Sequence, residues 1–165
     1  MSIGRILAHA GVMEGKEVTW MPSYGPEQRG GTANVTVIIS DNKISSPILS
    51  SYDIVIVLNQ PSLDKFQERV KPGGTLIYDS GAVSTPPGRK DISIYRIPAM
   101  ETAAEMKMDR VFGSIILGGL LKIHPVVAPE SVIEALRVVL PERHHVLIPD
   151  NEKALRLGMD IIQKI

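Results

Sequence analysis

Residues 22–34, which read PSYGPEQRGGTAN, contain the residue types in this sequence that are best suited to bind a ligand. Gly30 and Gly31 are consecutive, so their backbone N–H groups can form a concavity that binds an anion. Arg29 offers a planar guanidinium that suits phosphate, and Tyr24 offers a flat ring for stacking. A simple surface connection needs only roughly two to five residues. The segment predicts a site for a phosphate-bearing ligand or a contact between subunits, and these residues alone do not choose between the two.

The common catalytic and nucleotide-binding motifs are missing from this sequence. No G-x-G-x-x-G follows a predicted strand, and neither a P-loop nor a G-x-S-x-G motif occurs. His144 and His145 are adjacent, so their rings should diverge, and we predict no metal site. The turn KPGGTL at residues 71–76 is typical of methyltransferase-like sheets, but many sheets need a glycine-assisted turn there. We predict no catalytic residue in this chain.

The composition limits the classes of function. The chain has 165 residues, 18 basic and 18 acidic side chains and a formal net charge of zero, which argues against broad binding to nucleic acid or to a membrane surface. It has no cysteine, so it offers no thiolate for zinc, an iron–sulfur cluster or catalysis. The apolar stretch at 111–123 is too short to span a bilayer. We expect a cytoplasmic protein with a single domain over residues 1–165.

Apolar periodicity predicts the elements that must position the loop. The sequence predicts a helix from residue 3 to 13 and strands at 17–21, 35–39, 53–58, 75–78 and 92–97, with a short return at 44–47. Ser62 is the expected N-cap of a helix that ends near Val70. Later helices are expected at 109–123, from Pro129 to Leu140, and from a cap at Asp150 or Asn151, with Ile165 on the apolar stripe of the last one.

These elements together predict the fold class. Strands that are apolar without alternation, separated by a helix, are typical of a parallel sheet covered on both faces. We therefore expect an α/β protein, a three-layer Rossmann-like domain with a mostly parallel sheet and a helical C-terminal third.

The loop and its flanks also resemble a known family. The run PSYGPEQRGGTAN, the strand VTVIIS and the following ISSP are similar to the gamma subunit of 2-oxoacid:ferredoxin oxidoreductases, as are DIVIVLNQ at 53–60 and the spacing of Asn151, Ala154 and Gly158. The family pattern Y-G-x-E-x-R-G-G is long, and the similarity extends over essentially the whole chain. The PSYGPE form is most similar to the 2-oxoglutarate type, and branched-chain members are close to it.

The resemblance implies one subunit of a larger enzyme. In that family thiamine diphosphate attacks a 2-oxoacid, carbon dioxide leaves, electrons pass through iron–sulfur clusters to ferredoxin, and the acyl group goes to coenzyme A. The implied partners are alpha, beta and ferredoxin-like delta subunits, which would hold thiamine diphosphate, Mg and the clusters. This chain has no G-D-G segment and no cysteine, so we expect it to hold no cofactor alone and to be inactive in isolation.

The resemblance also implies which residues serve the coenzyme A side of the active site. They lie in the loop, with one more after the strand at 53–58: Ser23, Tyr24, Glu27, Arg29, Gly30, Gly31 and Asn59. The alternative is a noncatalytic assembly module whose loop binds a neighbouring protein and no ligand.

Members of this family begin with a strand and a glycine-rich loop before the first helix, whereas this sequence opens at the helix. The first strand and its loop are therefore expected to be missing. We expect a gap in the sheet beside the strand at 53–58, and a natural chain that is longer at its N-terminus by roughly 10–20 residues, enough for one strand and a loop.

Overall fold

The computed structural model describes residues 2–25 and 33–165. Within these ranges the helices are α1 (Ser2–Met13), α2 (Gln60–Phe66), α3 (Ala99–Glu105), α4 (Phe112–Ile123), α5 (Pro129–Val139) and α6 (Ile148–Ile161). The strands are β1 (Glu17–Tyr24), β2 (Ala33–Ser40), β3 (Tyr52–Val57), β4 (Val70–Asp79), β5 (Ser93–Ile97) and β6 (Gln163–Lys164). The predicted α/β class with a helical C-terminal third is confirmed.

The strands form two separate sheets. The larger sheet has the order β3-β4-β5-β6, in which β3, β4 and β5 are parallel and β6 is antiparallel. The smaller sheet is the antiparallel hairpin β1–β2. The expected mostly parallel sheet is confirmed, and among the described strands β3 lies at an edge of it.

The larger sheet is covered on both faces, as its β-branched strands require. Ile77 of β4 joins a core made with α1, α3, α4, α5 and α6. The neighbouring Leu76 and Tyr78 point to the opposite face and join Leu63 of α2 in a second core. Successive side chains of one strand thus pack into different layers, which gives the three-layer arrangement.

Helices α4 and α6 cross at unusually close range because each presents a glycine to the other. A Cβ placed on Gly118 would lie 1.9 Å from the carbonyl oxygen of Leu155, and one on Gly158 would lie 2.0 Å from that of Ile115. Beside the crossing, the buried Ser114 hydroxyl donates to Asn151 Oδ1 over 2.7 Å. The backbones touch directly, so any side chain at either glycine would push the helices apart.

Four local predictions are wrong. Residues 44–47 form no strand. Helix α2 begins at Gln60 with Asn59 and not Ser62 as its cap, because Asn59 Oδ1 accepts a hydrogen bond from the backbone N–H of Ser62. It ends at Phe66, and a 3-10 helix over Gln67–Arg69 continues to the predicted boundary at Val70.

The last helix also begins and ends earlier than predicted. It starts at Ile148, so Asp150 and Asn151 lie inside it, where Asn151 Nδ2 donates to the carbonyl of Leu147 over 2.7 Å. The helix ends at Ile161, and the chain turns extended to pair with β5. Ile165 lies outside the helix with 56% of its surface exposed.

Within residues 2–25 and 33–165, the structure contains no helix with both the length and the apolar composition needed to cross a membrane.

Candidate functional site

The β1–β2 hairpin positions the loop that the sequence analysis singled out. Its last pairs are Ser23 with Asn34 and Tyr24 with Ala33. The prediction of a loop over residues 22–34 was therefore too long, because residues 22–24 and 33–34 belong to the strands and only 25–32 connect them. Pro22, Ser23 and Asn34 are residue types that favour turns, and they hide this pairing from a reading of the sequence.

The predicted site residues in this region fall into two groups. Ser23 is exposed, and Tyr24 keeps 70% of its surface exposed, so the Tyr24 ring is accessible at the end of the hairpin. The remaining four, Glu27, Arg29, Gly30 and Gly31, lie outside the described residues.

Helix α1 holds the hairpin in place through two glycines. A Cβ on Gly4 would lie 2.6 Å from the Val35 side chain, and one on Gly11 would lie 2.9 Å from the Val18 side chain. Since Gly4 meets the start of β2 while Gly11 contacts Val18 near the start of β1, the helix lies along the hairpin. The end of the hairpin that carries the loop is thereby fixed beside the first turn of α1.

Asn59 follows β3, and one of its side-chain atoms is used in a local hydrogen bond. Its backbone is extended, with φ −165° and ψ 165°, and its Oδ1 accepts a hydrogen bond from the Ser62 N–H over 2.9 Å. This is the geometry of an N-cap. The carboxamide is held at the carboxyl end of a parallel strand, where open α/β sheets place their ligands.

A cleft of about 490 Å³ lies between β2 and β3, and we call it the β2–β3 cleft. Its walls include most of both strands together with side chains from α1, α2 and α4. Asp53 is its one charged lining residue within the described part of the chain, and Lys71 pairs with it at 2.8 Å. Ala33, Asn34 and Asn59 all line the cleft, whereas Ser23 and Tyr24 do not. The structure therefore brings Asn59 to the same cleft as the residues that end the loop.

Asp79, at the carboxyl end of β4, is a structural residue that the sequence analysis missed. It is fully buried, and its two carboxylate oxygens accept hydrogen bonds from the N–H groups of Gly81 and Met100, over 2.7 and 2.9 Å. It thus fixes the turn after β4 and the start of α3. An acidic residue directly after the apolar run at 76–78 was the available signal.

Two further carboxylates take hydrogen bonds that favour their charged forms. The N–H of Ala128 and the hydroxyl of Ser131 donate to Glu14 Oε1, over 2.6 and 2.7 Å, and they lower the pKa of Glu14. Arg89 binds the carboxylate of Asp91 with two nitrogens, which lowers the pKa of Asp91. The Glu14 contacts connect the end of α1 to the start of α5, whereas Arg89 and Asp91 pair within the connection between β4 and β5. The described residues contain no group of three His, Asp or Glu side chains placed to hold a metal ion.

Comparison with known proteins decides the family. The sequence profile named "Pyruvate ferredoxin/flavodoxin oxidoreductase" matches residues 1–161. The chain belongs to this family. Its resemblance to the gamma subunit of 2-oxoacid:ferredoxin oxidoreductases is confirmed.

Individual relatives give the same assignment. The ketoisovalerate oxidoreductase subunit VorA of Methanothermobacter marburgensis is 34% identical over 99% of this chain and 34% of its own length. The gamma subunit of keto/oxoacid ferredoxin oxidoreductase from Geobacter sulfurreducens has a TM-score of 0.80 and 29% identity, covering 97% of this chain and 87% of that one.

A third relative shares the fold at lower identity. It is the 2-oxoglutarate:ferredoxin oxidoreductase of Magnetococcus marinus, solved with 2-oxoglutarate, coenzyme A and succinyl-CoA bound, with a TM-score of 0.86 and 23% identity over 98% of this chain and 28% of that one. The chain spans between 24% and 34% of the length of the ketoisovalerate oxidoreductase subunits that it matches. It thus matches one part of these longer relatives.

Proposed function

We propose that this chain is the gamma component of a 2-oxoacid:ferredoxin oxidoreductase and forms the coenzyme A side of its active site. The observation that carries the proposal is the position of Asn59 at the carboxyl end of β3, in the same cleft as Ala33 and Asn34, which end the glycine-rich loop. Ligands of open α/β sheets bind beyond the carboxyl ends of strands, and here a loop of suitable chemistry leads to that place.

The residues of the loop suit the parts of coenzyme A. Its phosphates need positive charge and N–H donors, which Arg29 and the backbone at Gly30 and Gly31 can supply. Its adenine needs a flat partner, and the exposed ring of Tyr24 offers one at the end of the hairpin. Ser23, Glu27 and Asn59 add hydrogen-bonding groups around the same ligand.

The redox chemistry is assigned to other subunits. This chain has no cysteine to ligate an iron–sulfur cluster, and its described residues contain no metal-ligating group. We therefore place thiamine diphosphate, Mg and the clusters in alpha, beta and ferredoxin-like delta subunits, with ferredoxin as the electron acceptor. Relatives are named for ketoisovalerate and for 2-oxoglutarate, and we favour 2-oxoglutarate because of the PSYGPE form of the loop.

The test is the variant Arg29→Ala in the assembled enzyme. Loss of a charge-assisted phosphate contact should cost about 1.5–3 kcal/mol, so the KM for coenzyme A should rise about tenfold or more while the KM for the 2-oxoacid changes little. Arg29→Lys should recover only part of the loss, because it keeps the charge and loses the planar fork. Arg137→Ala on the exposed side of α5 is the matched control and should leave both constants unchanged.

The second candidate function is a noncatalytic assembly module. It is supported by the neutral net charge, which lets copies or partners associate without strong repulsion. In that case Arg29→Ala would affect both substrates equally and would weaken the association of the subunits. Coenzyme A would also fail to raise the melting temperature of the assembled enzyme, since a ligand that binds only the folded state must stabilise it.

A further inference from the structure

Gln60, the first residue of α2, joins the two chain segments that leave the carboxyl edge of the larger sheet. Strands β3 and β4 are parallel, so the segments that follow them start at the same edge. The Oε1 atom of Gln60 accepts a hydrogen bond from the backbone N–H of Thr85 over 2.9 Å, and its Nε2 donates to Asp64 Oδ1 over 2.9 Å. A backbone N–H can only donate and an ionised carboxylate can only accept, so these two partners define the orientation of the carboxamide.

The connection between β4 and β5, to which Thr85 belongs, is fixed independently of Gln60. Val83 is buried and belongs to the second core. Further along the connection, Arg89 donates to the carbonyls of Gln67 and Val70, over 2.9 and 2.7 Å. A groove of about 460 Å³ lies between this connection and α2, and Gln60 forms part of its wall. The connection is therefore a fixed support, and Gln60 is the residue at the start of α2 that reaches it.

Asn59 immediately precedes Gln60, and its side chain depends on the same first turn of α2. Its Oδ1 accepts a hydrogen bond from the Ser62 N–H over 2.9 Å, so within the described part of the chain its Nδ2 is the atom of the carboxamide left to donate to a ligand. The direction of that donor is set by the position of the turn. Gln60 ties the turn to the connection between β4 and β5, and it thereby helps to fix the direction in which Asn59 donates.

We propose that Gln60 is a positioning residue for the coenzyme A site and acts through Asn59. This inference rests on the proposed function, because it takes Asn59 as one of the groups that bind coenzyme A. With Gln60 in place, the Nδ2 group of Asn59 is already oriented before the ligand arrives. Without it, the turn must become ordered when coenzyme A binds, and this ordering weakens the binding.

The test compares three variants of the assembled enzyme. In Gln60→Met the side chain keeps its length and loses both hydrogen bonds, so the KM for coenzyme A should rise about threefold or more, while kcat and the KM for 2-oxoglutarate stay unchanged. Arg89→Ala removes contacts between the same connection and the far end of α2. It should lower the melting temperature without changing the KM for coenzyme A, because Thr85 remains close to the buried Val83. Asp64→Ala is the matched control, since it removes only the Nε2 contact and should leave all three constants unchanged.

Two results would overturn the inference and leave the proposed function standing. The first is an unchanged KM for coenzyme A in Gln60→Met while Arg29→Ala still raises it. The second is an equal rise in Asp64→Ala or Arg89→Ala, since the effect would then come from a general loosening around α2. If neither Gln60→Met nor Arg29→Ala raised this KM, the proposed function itself would fail, and the inference with it.

Discussion

Two regions of this molecule differ in how closely their backbone segments approach each other. Where α4 crosses α6, Gly118 and Gly158 let the backbone of each helix lie against a carbonyl of the other. In the β2–β3 cleft, two strands of suitable composition face each other without pairing. The first region is closely packed, whereas β2 and β3 each have one edge without a partner strand among the described residues.

The difference separates the scaffold from the interacting side of the domain. The buried residues of α4 belong to the main core, and residues 115–117 have no exposed surface. All residues of β2 after Ala33 are only half-buried, although most are apolar. Since Ala33, Asn34 and Asn59 line the same cleft, the proposed ligand site lies in the part of the domain where the described residues are less completely buried.

The largest effect is expected where the helices touch. Gly118→Ala should lower the free energy of unfolding by about 3 kcal/mol, because its methyl group would overlap the Leu155 carbonyl and the helices must separate. Gly88→Ala is the matched control, since no atom lies within 4 Å of the added methyl group, and its effect should be close to zero. Urea unfolding of both variants gives the comparison. Equal stabilities would show that the α4–α6 contact is not tight.

A second prediction applies the same truncation to both regions. Ile116→Ala removes a side chain with no exposed surface and should cost about 3 kcal/mol. Ile38→Ala removes a half-buried side chain at the cleft and should cost about 1 kcal/mol, since less apolar surface returns to water. Both values come from denaturant unfolding of the 165-residue chain. A cost for Ile38 equal to that for Ile116 would mean that the cleft is closed in solution.

The smallest effect concerns the link between α1 and α5. Glu14→Gln should cost about 1 kcal/mol near neutral pH, because the carboxylate that accepts from the Ala128 N–H and the Ser131 hydroxyl loses its charge. The pKa of Glu14 is lowered in the folded state, so its contribution is fully present above its ordinary value of 4.5 and is lost as the pH falls through the folded value. The stability difference between the two proteins should therefore be constant from pH 6 to about 7 and shrink below about 4.5. A difference that grows on acidification would contradict this role.

The sequence predicted those parts of the fold that depend on local composition. The β-branched runs gave the strands at residues 53–57 and 93–97, and the proline at 129 gave the start of α5. The edge position of β3 among the described strands was expected from the family resemblance and not from local composition.

Features that depend on contacts between distant residues could not be predicted in the same way. The pairing of β6 with β5 joins Gln163 to Arg96, and a strand of two residues is too short to show in its sequence which strand it pairs with. The roles of Gly118 and Gly158 exist only once the two helices cross. At the candidate site, the sequence identified Asn59 but assigned the helix cap to Ser62, since an Asn-x-x-Ser run offers two capping side chains and only the backbone geometry chooses between them.

The central claim, that this chain is one component of a 2-oxoacid:ferredoxin oxidoreductase, is tested most directly by co-purification of the tagged chain from its native source. The account predicts that chains carrying thiamine diphosphate and iron–sulfur clusters are retained with it. The retained complex should reduce ferredoxin only when a 2-oxoacid and coenzyme A are both supplied, and the pure chain with added thiamine diphosphate and an artificial acceptor should show no turnover. Recovery of the chain alone, with the 2-oxoacid oxidation activity of the extract in fractions that lack it, would contradict the claim.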